Sequence, residues 1–197
     1  MRPSLNVTLS VVVLAVMAAE LLGWSDALEF RRDLAATQPW RLLTGHFVHL
    51  GFLHAVLNCV ALLLLGRLFA VRLRPREFFG ILAVAPVIIS LLFLVALPDL
   101  LWYRGLSGVL HALYFAGCVV WIGSTSGRAR WLPIAALLGG MAKVLLEQPW
   151  DSSFPVHEVL RIAVVPQAHL FGSIVGSLVG FALVRLCNRR SRARDAG

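Results

Sequence analysis

Arg104-Gly-Leu-Ser-Gly-Val-Leu-His111 is the stretch on which the reading of this chain turns. It opens an apolar run that continues to Gly123, with Ser107 in the first turn of the helix such a run predicts. A serine between two glycines at a helix mouth is explained cheaply as a cap or a turn residue. The other explanation, a nucleophile, depends on which groups reach the same depth from other apolar stretches.

Those stretches dominate the chain. Of 197 residues, 59% are apolar and 14% charged, with a mean hydropathy of +0.82. Soluble domains carry about 25% charged residues. Six apolar blocks emerge, at about 5–23, 50–70, 78–97, 107–123, 131–148 and 168–186, followed by a basic tail, 187–197. Each is close to the roughly 20 residues a spanning helix needs. The expected fold is an all-α membrane protein, a single membrane domain over 1–197 with six transmembrane helices. The net charge of +8 is dispersed at the ends of the apolar blocks. This excludes a nucleic-acid face and leaves the lipid bilayer as partner. Cys59, Cys118 and Cys187 lie in or at the end of apolar blocks, with no metal-ligand spacing, and read as small apolar residues.

Charge sets the orientation. Counting six helices, Arg2, the cluster Arg67 to Arg76, Arg128, Arg130 and the tail from Arg185 to Arg194 share one side, with twelve basic residues against two acidic. The other side has five basic and six acidic residues. Both termini are therefore expected in the cytoplasm, with the first block retained rather than cleaved. The loop 24–48 carries Trp24 and Trp40 as interfacial anchors, and the apolar connection 149–167 is expected to lie over the protein as a cap.

Polar groups in hydrocarbon are costly and are candidates for function. His54 and Asn58 are four apart on helix 2, as are Ser107 and His111 on helix 4. On helix 6, His169 heads a stripe of Gly172, Gly176 and Gly180 that can face Gly108, Ala112 and Ala116. Ser107 lies 16 residues from Gly123 and His169 lies 16 from Arg185. Both are thus roughly 24 Å from the cytoplasmic end of their helices. Measured back from Arg72, His54 and Asn58 bracket that level at about 27 and 21 Å.

A serine hydroxyl needs an adjacent base, and His169 can take its proton. Asn58, His54 and backbone N–H groups near Ser107 can stabilise an oxyanion, and Gly105 and Gly108 keep bulk away. No acidic residue falls near this layer on helices 2, 4 or 6, so a Ser-His dyad is expected rather than a triad. Neither a metal nor a cofactor is expected. A transporter or metal-binding bundle built on His46, His49, His54 and His169 would want inverted repeats or broken helices, and the sequence has neither.

Taken together, these residues resemble the rhomboid intramembrane serine proteases over nearly the whole chain. Trp40-Arg41 is similar to the family's first-loop signature, and His54 with Asn58 to its oxyanion positions. Gly105-Leu-Ser107-Gly108 is similar to its nucleophile motif, and Ala168-His169-x-x-Gly172-x-x-x-Gly176 to its general-base helix. The resemblance implies Ser107 and His169 as catalytic residues, and His54, Asn58 and Gly105 as oxyanion or supporting residues. It also implies a peptide bond cut near the periplasmic end of a substrate transmembrane helix. His111 stands where rhomboids often have Tyr. With the bare chain and Lys143, Glu147 and Gln148 on helix 5, it resembles the rhombosortase subgroup. That subgroup implies transmembrane substrates with C-terminal Gly-Gly tail signals, in a bacterial inner membrane. A general rhomboid protease and a non-catalytic client-binding protein are the alternatives. His111 is either an orienting neighbour of His169 or a packed ring, and it puts a second imidazole near Ser107. Lys143 and Glu147, about 18 and 24 Å into helix 5, are candidates for a polar element at the point of substrate admission.

Overall fold

The computed structural model describes residues 3–148 and 165–195. Its apolar blocks are helical: α1 (Pro3–Leu21), the short α2 (Ser25–Leu28) and α3 (Arg41–Thr44), α4 (Phe52–Phe69), α5 (Pro75–Ala96), α6 (Ser107–Gly123), α7 (Trp131–Leu146) and α8 (Pro166–Asp195). Two strands of two residues each, β1 (Phe30–Arg31) and β2 (Trp102–Tyr103), pair antiparallel with Phe30 opposite Tyr103. A single turn of 3-10 helix, Gly127–Arg130, leads into α7.

Four helical segments are long and apolar enough to cross a membrane: Phe52–Phe69, Pro75–Ala96, Gly127–Leu146 and Pro166–Arg189. Leu5–Leu21 and Ser107–Gly123 are apolar but shorter. The chain is a multi-pass membrane protein. α5 starts at Pro75, earlier than the expected 78. Pro75 occupies the first helical position, and the Glu77 carboxylate accepts the Arg74 backbone N–H at 2.8 Å, closing the helix mouth. α8 runs past the expected 186 to Asp195, because arginine is a good helix former and no proline or glycine interrupts it.

α6 is the centre of the bundle. It packs most extensively on α8 and also meets α4, α5 and α7. Its Val109, Ala112, Leu113, Phe115 and Ala116 are fully buried. The small-residue stripes meet as expected. A methyl added to Gly172 would collide with the Gly108 carbonyl oxygen, and one at Gly176 with that of Ala112. Such contact between backbones sets how α6 and α8 slide against each other, and hence which side chains share a level.

The segments between helices are braced by arginines. Arg32 donates to the carbonyls of Phe93, Leu94, Leu97 and Leu100, tying its segment to the end of α5 and the turn after it. Arg41, buried, donates to the carbonyls of Asp26 and Glu29. Most of the 149–167 connection, expected as a cap, lies outside the described residues.

Candidate active site

The stretch that precedes α6 is held from three sides. Arg104 pairs with Glu29 at 2.7 Å and with Asp26. The Gly105 N–H donates to the Gly45 carbonyl at 3.2 Å. Gly105 has φ +140, a backbone region that side chains rarely adopt, and a Cβ there would lie 3.2 Å from the His54 ring. Glycine at this position lets the chain turn into α6 directly beneath that imidazole.

Ser107 is the first residue of α6 and does not act as its cap: the cap position is Leu106, which makes no side-chain capping bond. The Ser107 Oγ instead lies 2.9 Å from His169 Nε2. The His169 Nδ1 lies 2.9 Å from the Glu147 Oε2. Lys143 Nζ approaches both oxygens of Glu147, at 2.8 and 2.9 Å. It also lies 3.1 Å from His111 Nε2. The His111 Nδ1 meets the Ser107 carbonyl oxygen at 2.8 Å, and the His111 ring stacks on His169, 4.2 Å between centroids.

These contacts assign the protons. A carbonyl only accepts, so His111 carries hydrogen on Nδ1, and its Nε2 accepts from the Lys143 ammonium. Both His111 nitrogens are therefore engaged away from the Ser107 hydroxyl. A carboxylate only accepts, so His169 carries hydrogen on Nδ1, and in the neutral ring this leaves the Nε2 lone pair for the Ser107 hydroxyl. Of the two imidazoles beside Ser107, His169 has the geometry of the base.

Glu147, read from sequence as a candidate for a substrate-admission element, stands against His169. A helix outside the three considered for the polar layer supplies the carboxylate. Gln148 braces the same end of α7, donating from its buried amide to the carbonyls of Val144 and Pro166 at 3.0 Å each.

Two residues expected to line an oxyanion site lie on α4. His54 is buried, and its Nε2 end lies toward Gly105. Asn58 is buried too; one N–H of its amide donates to the carbonyl of His54 on its own helix at 2.9 Å, and the NH2 group has a second N–H to offer. The N–H groups at the start of α6 have no partner within the helix and add a cluster of donors beside Ser107. Tyr103, which the sequence reading did not single out, joins the site. Its hydroxyl donates to the Gly105 carbonyl at 2.8 Å and interacts with Ser107, and burial pushes the phenol up to about 12. The only sequence trace of this role is its position just before Arg104.

Donor atoms of His111, Glu147 and His169 lie within 4.8 Å of one another, a spacing that a cation can bridge. The Lys143 ammonium already stands among them as the positive charge. His46 and His49 are engaged elsewhere. His46 Nε2 is 3.0 Å from Ser90 Oγ, and His49 Nε2 accepts from the Leu106 N–H at 3.4 Å.

A comparison with protein families matches residues 36–186 to the rhomboid domain. The chain belongs to the rhomboid family. A comparison with curated proteins finds no match. Rhomboids are in general intramembrane serine proteases acting on transmembrane substrates within the bilayer, and the serine–histidine contact lies inside the matched span. In this rhomboid, α4, α6 and α8 bring His54, Ser107 and His169 together, and α7 adds Lys143 and Glu147.

Proposed function

We propose that this rhomboid is an intramembrane serine endopeptidase, with Ser107 as nucleophile and His169 as general base. The observation that carries the reading is the 2.9 Å contact between Ser107 Oγ and His169 Nε2, made by an imidazole whose other nitrogen faces the Glu147 carboxylate. Ser107 attacks the scissile carbonyl carbon as its proton passes to His169 Nε2. Backbone N–H groups at the start of α6, with His54 and Asn58, serve the oxyanion. Collapse expels the amine, which takes the proton from His169 and leaves an acyl-enzyme. Water, deprotonated by the same nitrogen, then releases the acid and restores Ser107.

In this reading six helices cross the inner membrane, α1 and α6 included, and both termini are cytoplasmic. The arginine bias supports that topology. It places the Ser107 end of α6 toward the periplasm, where water and the outer end of a substrate helix meet. His111, Lys143 and Glu147 support the rhombosortase assignment, with Gly-Gly-tailed surface proteins as substrates.

The test is reconstitution of the full chain, wild type, Ser107→Ala and His169→Ala, with a Gly-Gly-tailed substrate and a generic rhomboid substrate. Both variants are expected to lose cleavage by about 10³-fold or more, as removal of either partner of such a unit does. Cleavage that survives Ser107→Ala overturns the mechanism. Cleavage of the generic substrate alone overturns the rhombosortase assignment and leaves the protease.

A further inference from the structure

Two donor groups make three contacts with one carboxylate. The His169 Nδ1–H points at Glu147 Oε2, and the Lys143 ammonium approaches both Oε1 and Oε2. Glu147 is half-buried, with a side chain 17% exposed, so these bonds are only partly screened by solvent. Nothing in a serine–histidine dyad asks for this arrangement. An imidazole with no partner on Nδ1 is free to adopt either tautomer, and only one of them can accept the proton of Ser107.

We propose that Glu147 is a positioning residue that completes a Ser107–His169–Glu147 triad, and that Lys143 obliges position 147 to be a carboxylate. The inference rests on the protease reading above and deepens it. Glu147 does two things for His169. It holds the hydrogen on Nδ1, leaving the Nε2 lone pair on Ser107. It also lies against the ring as positive charge develops there during attack. His111 contributes by stacking on His169 and by accepting from the same Lys143 ammonium.

Lys143 makes the arrangement selective. An amide at 147 has one oxygen and one NH2 group to offer. If the oxygen faces His169, the NH2 confronts the Lys143 ammonium at the place of Oε1. If the oxygen faces Lys143, the NH2 confronts His169 Nδ1 and forces the hydrogen onto Nε2, where it blocks acceptance from Ser107. Either way Glu147→Gln is impaired, and removing Lys143 relieves the conflict. Glu147→Gln alone should therefore be slower than Lys143→Met/Glu147→Gln.

Two readings of Glu147 differ in what they ask of a substrate. A substrate-admission element matters only for a helix entering from the bilayer. A positioning residue matters for every acylation of Ser107, including by a small water-soluble fluorophosphonate. The experiment measures fluorophosphonate labelling of Ser107, cleavage of a soluble peptide and of a transmembrane substrate, and thermal unfolding, on the full chain in detergent. The variants are Glu147→Gln, Glu147→Asp, Lys143→Met and the double variant.

Glu147→Gln is expected to slow all three reactions by about 10²- to 10⁴-fold. The loss should fall in kcat rather than KM, with an unfolding temperature near that of wild type. Glu147→Asp should recover a large part of the rate, and the double variant should exceed Glu147→Gln. Wild-type labelling of Glu147→Gln, or a loss confined to the transmembrane substrate, overturns the triad while leaving the protease intact. Should Glu147→Gln fold poorly, the Asp and double variants decide: equal, uniformly low activity in both also overturns the triad. Absence of labelling at Ser107 in the wild type overturns the protease reading and this inference with it.

Discussion

Gly108→Ala isolates the geometric basis of the site without touching a reacting group. Gly108 faces Ala168, the residue before His169. A Cβ at Gly108 would lie 2.9 Å from the Ala168 carbonyl oxygen and 3.3 Å from its Cβ, where ordinary contact begins at 3.4 Å. Both obstacles sit on or next to backbone, so neither can rotate aside. α8 must retreat by about half an ångström, since packed interiors have little slack to absorb the change. His169 moves with Ala168, and its bond to Ser107, now 2.9 Å, stretches to roughly 3.4 Å, the edge of hydrogen bonding. A misplacement of about 1 Å costs about 10²-fold in rate, so half of that is worth about tenfold. Overpacking costs about 1–3 kcal/mol of stability. Gly172→Ala should be harsher, because its methyl meets the Gly108 carbonyl itself. Gly139→Ala is the control. Nothing lies within 4 Å of a methyl there, and alanine should raise helix stability by up to about 1 kcal/mol with unchanged activity. The assay is the second-order rate of fluorophosphonate labelling beside the unfolding temperature. Wild-type values of both for Gly108→Ala would refute the claim that backbone contact between α6 and α8 sets the distance between nucleophile and base.

Two further outcomes follow from the loops outside the spans. Arg104→Met leaves the Glu29 carboxylate, 9% exposed, without its 2.7 Å partner, and should cost about 2–3 kcal/mol. Arg104→Met/Glu29→Gln should be milder in a denaturation series, and a double variant worse than the single would refute the pairing. Burial pushes His46 and His49 down from 6.5 to about 3. The unfolded chain takes up these protons below about pH 6.5, and the native chain only near pH 3. The stability they contribute is therefore whole above pH 6.5 and is lost as pH falls toward 3. Unfolding temperatures of the full chain should drop across that window, with a shallower slope for His46→Gln. A flat wild-type profile would refute the burial argument.

The membrane character, the helical blocks and the facing stripes of α6 and α8 were legible in the sequence because each leaves a periodic trace. Apolar runs of about 20 residues mark the blocks, and small residues every four positions mark a face. The Ser107–His169 contact followed from two stripes with a common register. Other parts left no such trace. One N–H of the Asn58 amide donates to the backbone of its own helix, an option open to any amide on a helix. Tyr103 and the arginine braces lie in irregular segments, where contact is decided by the course of the backbone rather than by period. Ser107 at a helix mouth suggested a cap, whereas its hydroxyl is turned to His169. The same residue type suits both roles, and only the neighbouring helix distinguishes them.

Glu147 shows where reading from sequence stops. Counted from Trp131 it lies about 24 Å along its helix, the same depth as Ser107 and His169 in theirs. Depth was therefore available. Azimuth was not, because α7 has no stripe that faces α8 along its length, and little of its span is buried in the protein. Its placement against His169 comes instead from polar groups near its end: Lys143, Glu147 and Gln148, each bonded to α6 or α8. Side-chain hydrogen bonds carry no period, so a helix located by them can be placed in depth but not in rotation. The stripes of α6 and α8 let the Ser107–His169 contact be read from sequence. Glu147 sits on a helix without one, and only the folded chain shows which way it faces.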